Sequence, residues 1–263
     1  MEKLETLARM IYSGRGIIAG MTPSGDIFIG YSLSGRSPPS RARKLALESD
    51  GRIARIKTEV TDKEQLEKGN PALLLYTALS TAGDFLVASN GAQTKLIKNC
   101  AASLDFSFSP GYVLLNALAK PYYEKDKDGN DINITSFEPD PPNFTPRISA
   151  CYLNGLAAMH SVRRINGMKD VWCDQYNIEP GECRIITTYR GGNESPLMPF
   201  IDEPMRDEVK WNTPKEISEV IYNSIRGGTR PEDNYSVAAA VLLKDKRTGN
   251  VRSAIINRSE RGE

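Results

Sequence analysis

The sequence predicts an α+β fold in which antiparallel sheets pack against each other and helices cover them. Three observations predict it. Strand-like runs come in pairs joined by turn signals, and the helical patterns gather in blocks instead of alternating with strands as a βαβ array would. No Pro/Gly/Ser-rich linker divides the 263 residues, so a single domain over 1–263 is expected.

In chain order, residues 1–13 (MEKLETLARMIYS) read as an amphipathic helix with Leu4, Leu7, Ala8 and Ile11 on one face. Strands follow at 16–21 and 26–34, with Pro23-Ser24-Gly25 as the hairpin turn; in the second, Ile27, Ile29, Tyr31 and Leu33 alternate as in a half-buried strand. Gly35 breaks that pattern, and Pro38-Pro39 argues for a stiff turn without an immediate helix. Residues 52–60 alternate as a strand with one wet face, and 62–68 form a short helical turn. A second strand pair is expected at 71–81 and 84–89, closed by Asn90-Gly91.

Apolar spacing then predicts helices at 93–104 and 110–120, the latter ended by Pro121. Residues 125–146, rich in Asp, Asn, Gly and Pro, read as an excursion outside the core. Strands return at 147–153, 157–163, 171–176 and 184–189. The clearest helix is 213–226: Thr213 suits the N-cap, Pro214 the first position and Glu216 the capping box, with Gly227-Gly228 at its end. Strands at 235–244 and 250–257 close the chain.

Composition excludes several classes. Lys and Arg number 34 against 33 for Asp and Glu, so no global field recruits nucleic acid or an anionic membrane, and any anion recognition must be local. No apolar run reaches membrane-spanning length, and the N-terminal segment lacks the apolar stretch of a signal peptide. Four scattered cysteines and one histidine make a metal site improbable, and reduced thiols in a cytoplasmic protein are the simplest reading. Hydrolase, P-loop, dinucleotide and zincin motifs are absent, and His160 has no marked nucleophile beside it.

The stretch Ser34-Gly-Arg-Ser-Pro-Pro-Ser-Arg41 is the most informative. It places Arg36, Ser37, Ser40 and Arg41 on a turn beyond a strand end, where guanidinium forks and hydroxyls suit a phosphate; a solvated basic loop is the alternative. Tyr122-Tyr123-Glu124-Lys125-Asp126 offers a carboxylate beside two phenols, a general base if burial raises its pKa and a solvated helix end otherwise. Asn70-Pro71 with Tyr76, Ser89-Asn90-Gly91 with Thr94, Thr145-Pro146-Arg147-Ile148, and Thr187-Thr188-Tyr189 are each weak alone.

Taken in order, these motifs resemble the archaeal-type inosine monophosphate cyclohydrolase family over roughly residues 14–243. The resemblance implies a four-layer αββα sandwich like that of N-terminal-nucleophile hydrolases, without autoprocessing. It also implies closure of the purine ring of 5-formamidoimidazole-4-carboxamide ribotide to inosine monophosphate and water. Carried over by motif, Arg36, Ser37 and Arg41 would hold the ribotide or its phosphate, and Tyr76, Asn90, Tyr123, Glu124 and Arg147 would surround the reacting base. Glu124, or a phenol of Tyr76 or Tyr123, would move the proton, while Asn or Arg donors would stabilise the developing oxyanion. No cofactor or metal is needed. Rivals are an amidohydrolase-like relative acting on another nucleotide-like amide, and a non-catalytic nucleotide-binding module. The sequence departs from the family in its N-terminal helix, in one extra residue between Asn70-Pro71 and Tyr76, and in a long connection at 127–144. The edges of a two-sheet sandwich allow a homo-oligomer.

Overall fold

The computed structural model describes residues 2–49, 53–104, 107–227 and 233–262. The first part of the chain forms α1 (Glu5–Ala8), β1 (Arg15–Met21), β2 (Ile27–Ser34), α2 (Pro38–Arg41), β3 (Arg43–Ser49), β4 (Ala54–Val60), α3 (Lys63–Glu67) and α4 (Pro71–Leu74). The middle forms β5 (Thr77–Ala82), β6 (Phe85–Ser89), α5 (Thr94–Ser103), α6 (Pro110–Leu118), β7 (Tyr123–Lys125), β8 (Asp131–Asn133), β9 (Arg147–Leu153), β10 (Leu156–Ile165) and β11 (Met168–Asn177). The last part forms β12 (Glu182–Thr187), β13 (Met205–Glu208), α7 (Pro214–Ser224), β14 (Ser236–Lys244), β15 (Val251–Asn257) and α8 (Arg258–Arg261).

Two antiparallel sheets carry the fold, as the α+β reading requires. A six-stranded sheet runs β13-β12-β1-β2-β14-β15, and a seven-stranded sheet runs β11-β10-β9-β6-β5-β4-β3. Their facing sides interlock through Ile17, Ile29, Tyr31 and Leu33 on one and Leu86, Ile148, Tyr152 and Met159 on the other. Helix α7 covers the outer face of the first sheet, seating Ile217, Val220 and Ile221 on Ile18, Phe28 and Val241. Helices α5 and α6 cover the second, with Ile97, Val113 and Leu114 on Phe85, Val87 and Cys151. Each fully buried aliphatic chain contributes about 1.5–3 kcal/mol, so the three apolar layers dominate stability. Helical cover also explains why β2 is buried along its whole length and not on one face only. Asn257 closes one flank: its side chain both accepts from Leu45 N and donates to Leu45 O, each at 2.9 Å, joining β15 of one sheet to β3 of the other.

Several local expectations change. The N-terminal helix shrinks to α1; Leu4 and Leu7 are buried, but Ile11 is exposed. Pro38-Pro39 begins a helix instead of forbidding one, because first-turn positions have no intrahelical use for an N–H. Residues 71–74 are helical, with Asn70 Oδ1 accepting from Ala72 N, and the strand starts only at Thr77. Strands β3 and β13 were not anticipated. Residues 125–146 are not an excursion outside the core: β7 and β8 pair, Ile132 and Ile134 pack on Leu73, and Glu138 is buried. Arg52 and Gly228, which the sequence placed in a strand and at a helix end, lie outside the described residues. No helix among the described residues is long and apolar enough to cross a membrane.

The capping box of α7 is present as read: Glu216 N donates to Thr213 Oγ1, and Thr213 N to Glu216 Oε2. Thr213→Ala is expected to cost about 1 kcal/mol. Urea unfolding checks this as a lower midpoint at unchanged slope.

Candidate functional site

At the end of the sandwich where β1 begins and β2 ends lies a cleft of about 440 Å³. Its floor is buried and mixed in charge, with Tyr12, Arg15, Glu138, Thr145 and Tyr189. Its rim is solvated and basic, with Arg36, Ser37, Ser40 and Lys68. A hollow of about 480 Å³ at the opposite end, lined by Met21, Ile27, Lys244 and Asp245, is chemically quieter. There the Asp245 carboxylate is already held by the backbone N–H groups of Arg247 and Thr248.

The floor is organised around Glu138. Arg15 Nη2 donates to Glu138 Oε1 at 2.5 Å, and Arg147 Nη1 stands 3.8 Å from the same oxygen. Arg147 Nη1 also donates to Gln93 Oε1 at 3.2 Å. One carboxylate thus faces two guanidiniums, and it is committed to the first. Burial works against the charge on Arg15, but Glu138 and the neighbouring tyrosines outweigh it and hold the guanidinium well above its ordinary pKa. For Arg147 burial wins, and its pKa is lowered. The Nε atoms of both arginines are buried and meet no acceptor. Buried cationic donors with spare capacity fit an anionic or carbonyl-rich ligand.

The sequence builds this geometry locally. Asn90 brackets Arg147: its Nδ2 donates to Pro146 O and its Oδ1 accepts from Ile148 N, both at 2.8 Å. Gly91 leaves the space the guanidinium occupies, since a Cβ there would fall on Arg147 Nη1. Tyr76 lies behind the floor with its hydroxyl 2.9 Å from that of Tyr31, whose pKa burial raises strongly. Asp140 lines the cleft beside Glu138 and accepts from Thr145 N at 2.6 Å and Thr145 Oγ1 at 2.5 Å. Burial, reinforced by the Glu138 charge, lifts its carboxyl to about 6, against the hydrogen bonds of Thr145 and the charge of Arg15.

Of the residues singled out from sequence, Arg36 and Ser37 line the rim, Arg147 joins the floor, and Tyr76 and Asn90 support it from behind. Arg36 sits 5.2 Å over the Tyr12 ring and donates to Asn193 and to Glu194 O. Arg41 is not brought to the cleft. It bonds Gly35 O, lies over Tyr235, and faces a separate cavity of about 260 Å³ with Arg43. Tyr123 and Glu124 are not brought there either: Tyr123 is 58% exposed, and Glu124 pairs with Lys95 beside the small hairpin. Tyr189, seen in the sequence only as the end of a weak motif, lines the cleft, while Arg15, Glu138 and Asp140 escaped notice. A signal existed, because the pattern aromatic-Glu-x-Asp occurs twice, at 123–126 and at 137–140, and it is the second that reaches the cleft. Among the described residues no group of three or more His, Cys, Asp or Glu gathers to hold a metal ion.

Fold and cleft together define a two-sheet α+β protein with a guanidinium-carboxylate pocket at the seam of its sheets. A family model described as IMP cyclohydrolase-like protein matches residues 12–248, and the chain belongs to that family. It is 25% identical over 235 residues to an IMP cyclohydrolase of Methanococcus maripaludis strain C7, covering 89% of this chain and 96% of the relative. The corresponding protein of strain S2 is 27% identical over the same shares.

The raised Asp140 carboxyl has a consequence for folding. Its protonated form favours the folded state, a contribution fully present below about pH 4 and lost as pH rises through about 6. Asp140→Asn removes that dependence, so its urea midpoint relative to wild type should rise between pH 4 and pH 7. An unchanged difference across that window would contradict the assignment.

Proposed function

We propose that this cleft performs the IMP cyclohydrolase reaction, closing the purine ring of 5-formamidoimidazole-4-carboxamide ribotide to give inosine monophosphate and water. The family membership and the curated relatives support the reaction class. The observation that carries the site is the buried set Arg15, Glu138 and Arg147 beneath a basic, hydroxyl-bearing rim. A ribotide has the matching polarity, with a phosphate at one end and a neutral, carbonyl-rich base at the other. Arg36 and Ser37, with Ser40 and Lys68, take the phosphate in this reading, and the floor takes the base.

The chemistry asks for positioning and charge stabilisation. A carboxamide nitrogen attacks a formyl carbon of the same molecule, so holding both arms in contact removes much of the barrier. As the new C–N bond forms, the formyl oxygen becomes negative, and a guanidinium already buried and oriented stabilises it without reorganisation. Arg147 suits that task because its charge is the less compensated of the two. Glu138 then serves to fix both guanidiniums, and the carboxylate role read for Glu124 passes to the 137–140 segment. Nothing is oxidised or reduced, so the step balances with no cofactor.

The layer order supports reading the fold as the αββα sandwich of N-terminal-nucleophile hydrolases, used here without self-cleavage. The reading carries a cytoplasmic location, where nucleotides are made, and the exposed Met168 and Val171 on edge strand β11 leave a route to self-association.

Ultraviolet absorbance of inosine monophosphate follows the reaction. Glu138→Gln and Arg147→Lys are expected to lower kcat/KM by roughly 10²-fold or more, the scale of a lost preorganised donor. Gly91→Ala should lower it through displaced Arg147. Glu124→Gln should stay near wild type, since Glu124 pairs with Lys95 away from the cleft and a partly solvated ion pair contributes little. Full loss with Glu124→Gln and none with Glu138→Gln would reverse the assignment. Wild type that makes another product from a nucleotide-like amide would favour an amidohydrolase.

A further inference from the structure

Two motifs remain without a task, the threonine of Thr145-Pro146-Arg147-Ile148 and the tyrosine of Thr187-Thr188-Tyr189. The fold brings them together. Thr145 Oγ1 lies 2.6 Å from Tyr189 Oη and 2.5 Å from Asp140 Oδ2, and all three residues line the cleft. The direction of this chain is fixed by valence. An ionised carboxylate only accepts, so the single Thr145 proton points to Asp140, and the Thr145 oxygen must accept from Tyr189. The Tyr189 oxygen is left with a lone pair to offer on its cleft side.

We propose that Tyr189, Thr145 and Asp140 form a proton relay for ring closure, with Tyr189 taking a proton from the substrate and Asp140 storing it. This rests on the cyclohydrolase reading above. As the carboxamide nitrogen bonds the formyl carbon, its proton passes to Tyr189 Oη, the Tyr189 proton to Thr145 Oγ1, and the Thr145 proton to Asp140 Oδ2. The electron pair of the formyl C=O moves onto oxygen, beside the guanidiniums. In the second half the stored proton returns along the chain to that oxygen. It leaves as water with this proton and the one from the formamido N–H, while the C=N bond forms. Atoms and charge balance without a further reactant.

The surroundings suit a group that gains and loses a proton in each turnover. Facing Asp140 are Glu138 on its own segment, Arg15 from β1, Arg147 from β9 and the Tyr189 phenol, while Arg36 and Lys68 line the same cleft. Their opposing charges and the burial of the carboxyl leave it near 6, close to the working pH that serves a proton carrier best. Tyr189 itself is raised by burial, so it passes a proton without resting as a phenolate. Asp140 and Thr145 are positioning and storage groups that act through Tyr189.

The test is the pH profile of kcat/KM for inosine monophosphate formation, with product affinity measured by calorimetry. Wild type should lose activity as pH falls through about 6. Asp140→Asn should abolish that limb and lower the rate by roughly 10²–10⁴-fold. Thr145→Val and Tyr189→Phe should fall comparably, Thr145→Ser should recover most of the rate, and all should bind inosine monophosphate within a few-fold of wild type. An unchanged limb in Asp140→Asn, or wild-type rates in Thr145→Val and Tyr189→Phe, overturns the relay. So does a rate loss that merely tracks lost product binding. A wild-type protein that forms no inosine monophosphate defeats the ring-closing reading itself, and the relay with it.

Discussion

The contact between Arg15 and Glu138 is the constraint on which the site depends. Taking both charges out of water costs several kcal/mol per ion, and only close geometry with further hydrogen bonds offsets it. Arg15 is the first residue of β1, while Glu138 belongs to the segment between the small hairpin and β9. Their pairing ties the start of a central strand of the first sheet to the connection entering the second. The second guanidinium, Arg147, opens β9 and turns toward the same carboxylate. Charge neutrality is therefore incomplete at a seam where apolar packing from both sheets has ended. Such a seam is open to an anionic ligand and resists one of the opposite charge.

The segment carrying Glu138 is held from several sides, which lets a loop serve as a precise platform. Glu138 N donates to Thr145 O, and Thr145 in turn gives both its N–H and its hydroxyl to Asp140. Tyr189 fastens that knot to the end of β12, and Asn143 Oδ1 accepts from Leu197 N beyond it. Asn90, from the other sheet, fixes the peptide on each side of Arg147. Glu138, Asp140 and Arg147 thus inherit the rigidity of two sheets, although the first two are not strand residues.

Much of the fold was legible because its signals are local. The capping box of α7, the alternation in β2 and the turn residues at 23–25 each specify their own neighbourhood. The short helix α2 was hidden by prolines read as breakers and α4 by a proline read as a strand start, when at a first turn proline is a helix starter. Strand β3 was hidden by a run of basic residues absorbed into the preceding turn. The site was less legible for a different reason. Arg15 and Glu138 lie 123 positions apart, and no periodicity or spacing announces such a pair. Two copies of one local pattern competed, and Tyr123-Glu124 stood where a helix ends while Glu138-Pro139-Asp140 stood in what looked like surface loop. Only the crossing of that loop over the sheet seam separates them.

The arginine-serine turn shows the same limit on a smaller scale. Read as a line, Ser34 to Arg41 presents every cation to one ligand. In the fold, Ser37 caps α2, and Ser40, three residues on, turns back to it through the reciprocal capping bonds. Residues three apart on a helix share a face, so both serines look into the cleft with Arg36. Arg41 follows one position later, about 100° further around, and is carried to the far side to lie over Tyr235. A single helical turn thus divides one motif between two cavities. The helical period, and not the density of positive charge, decides which arginine lines the cleft.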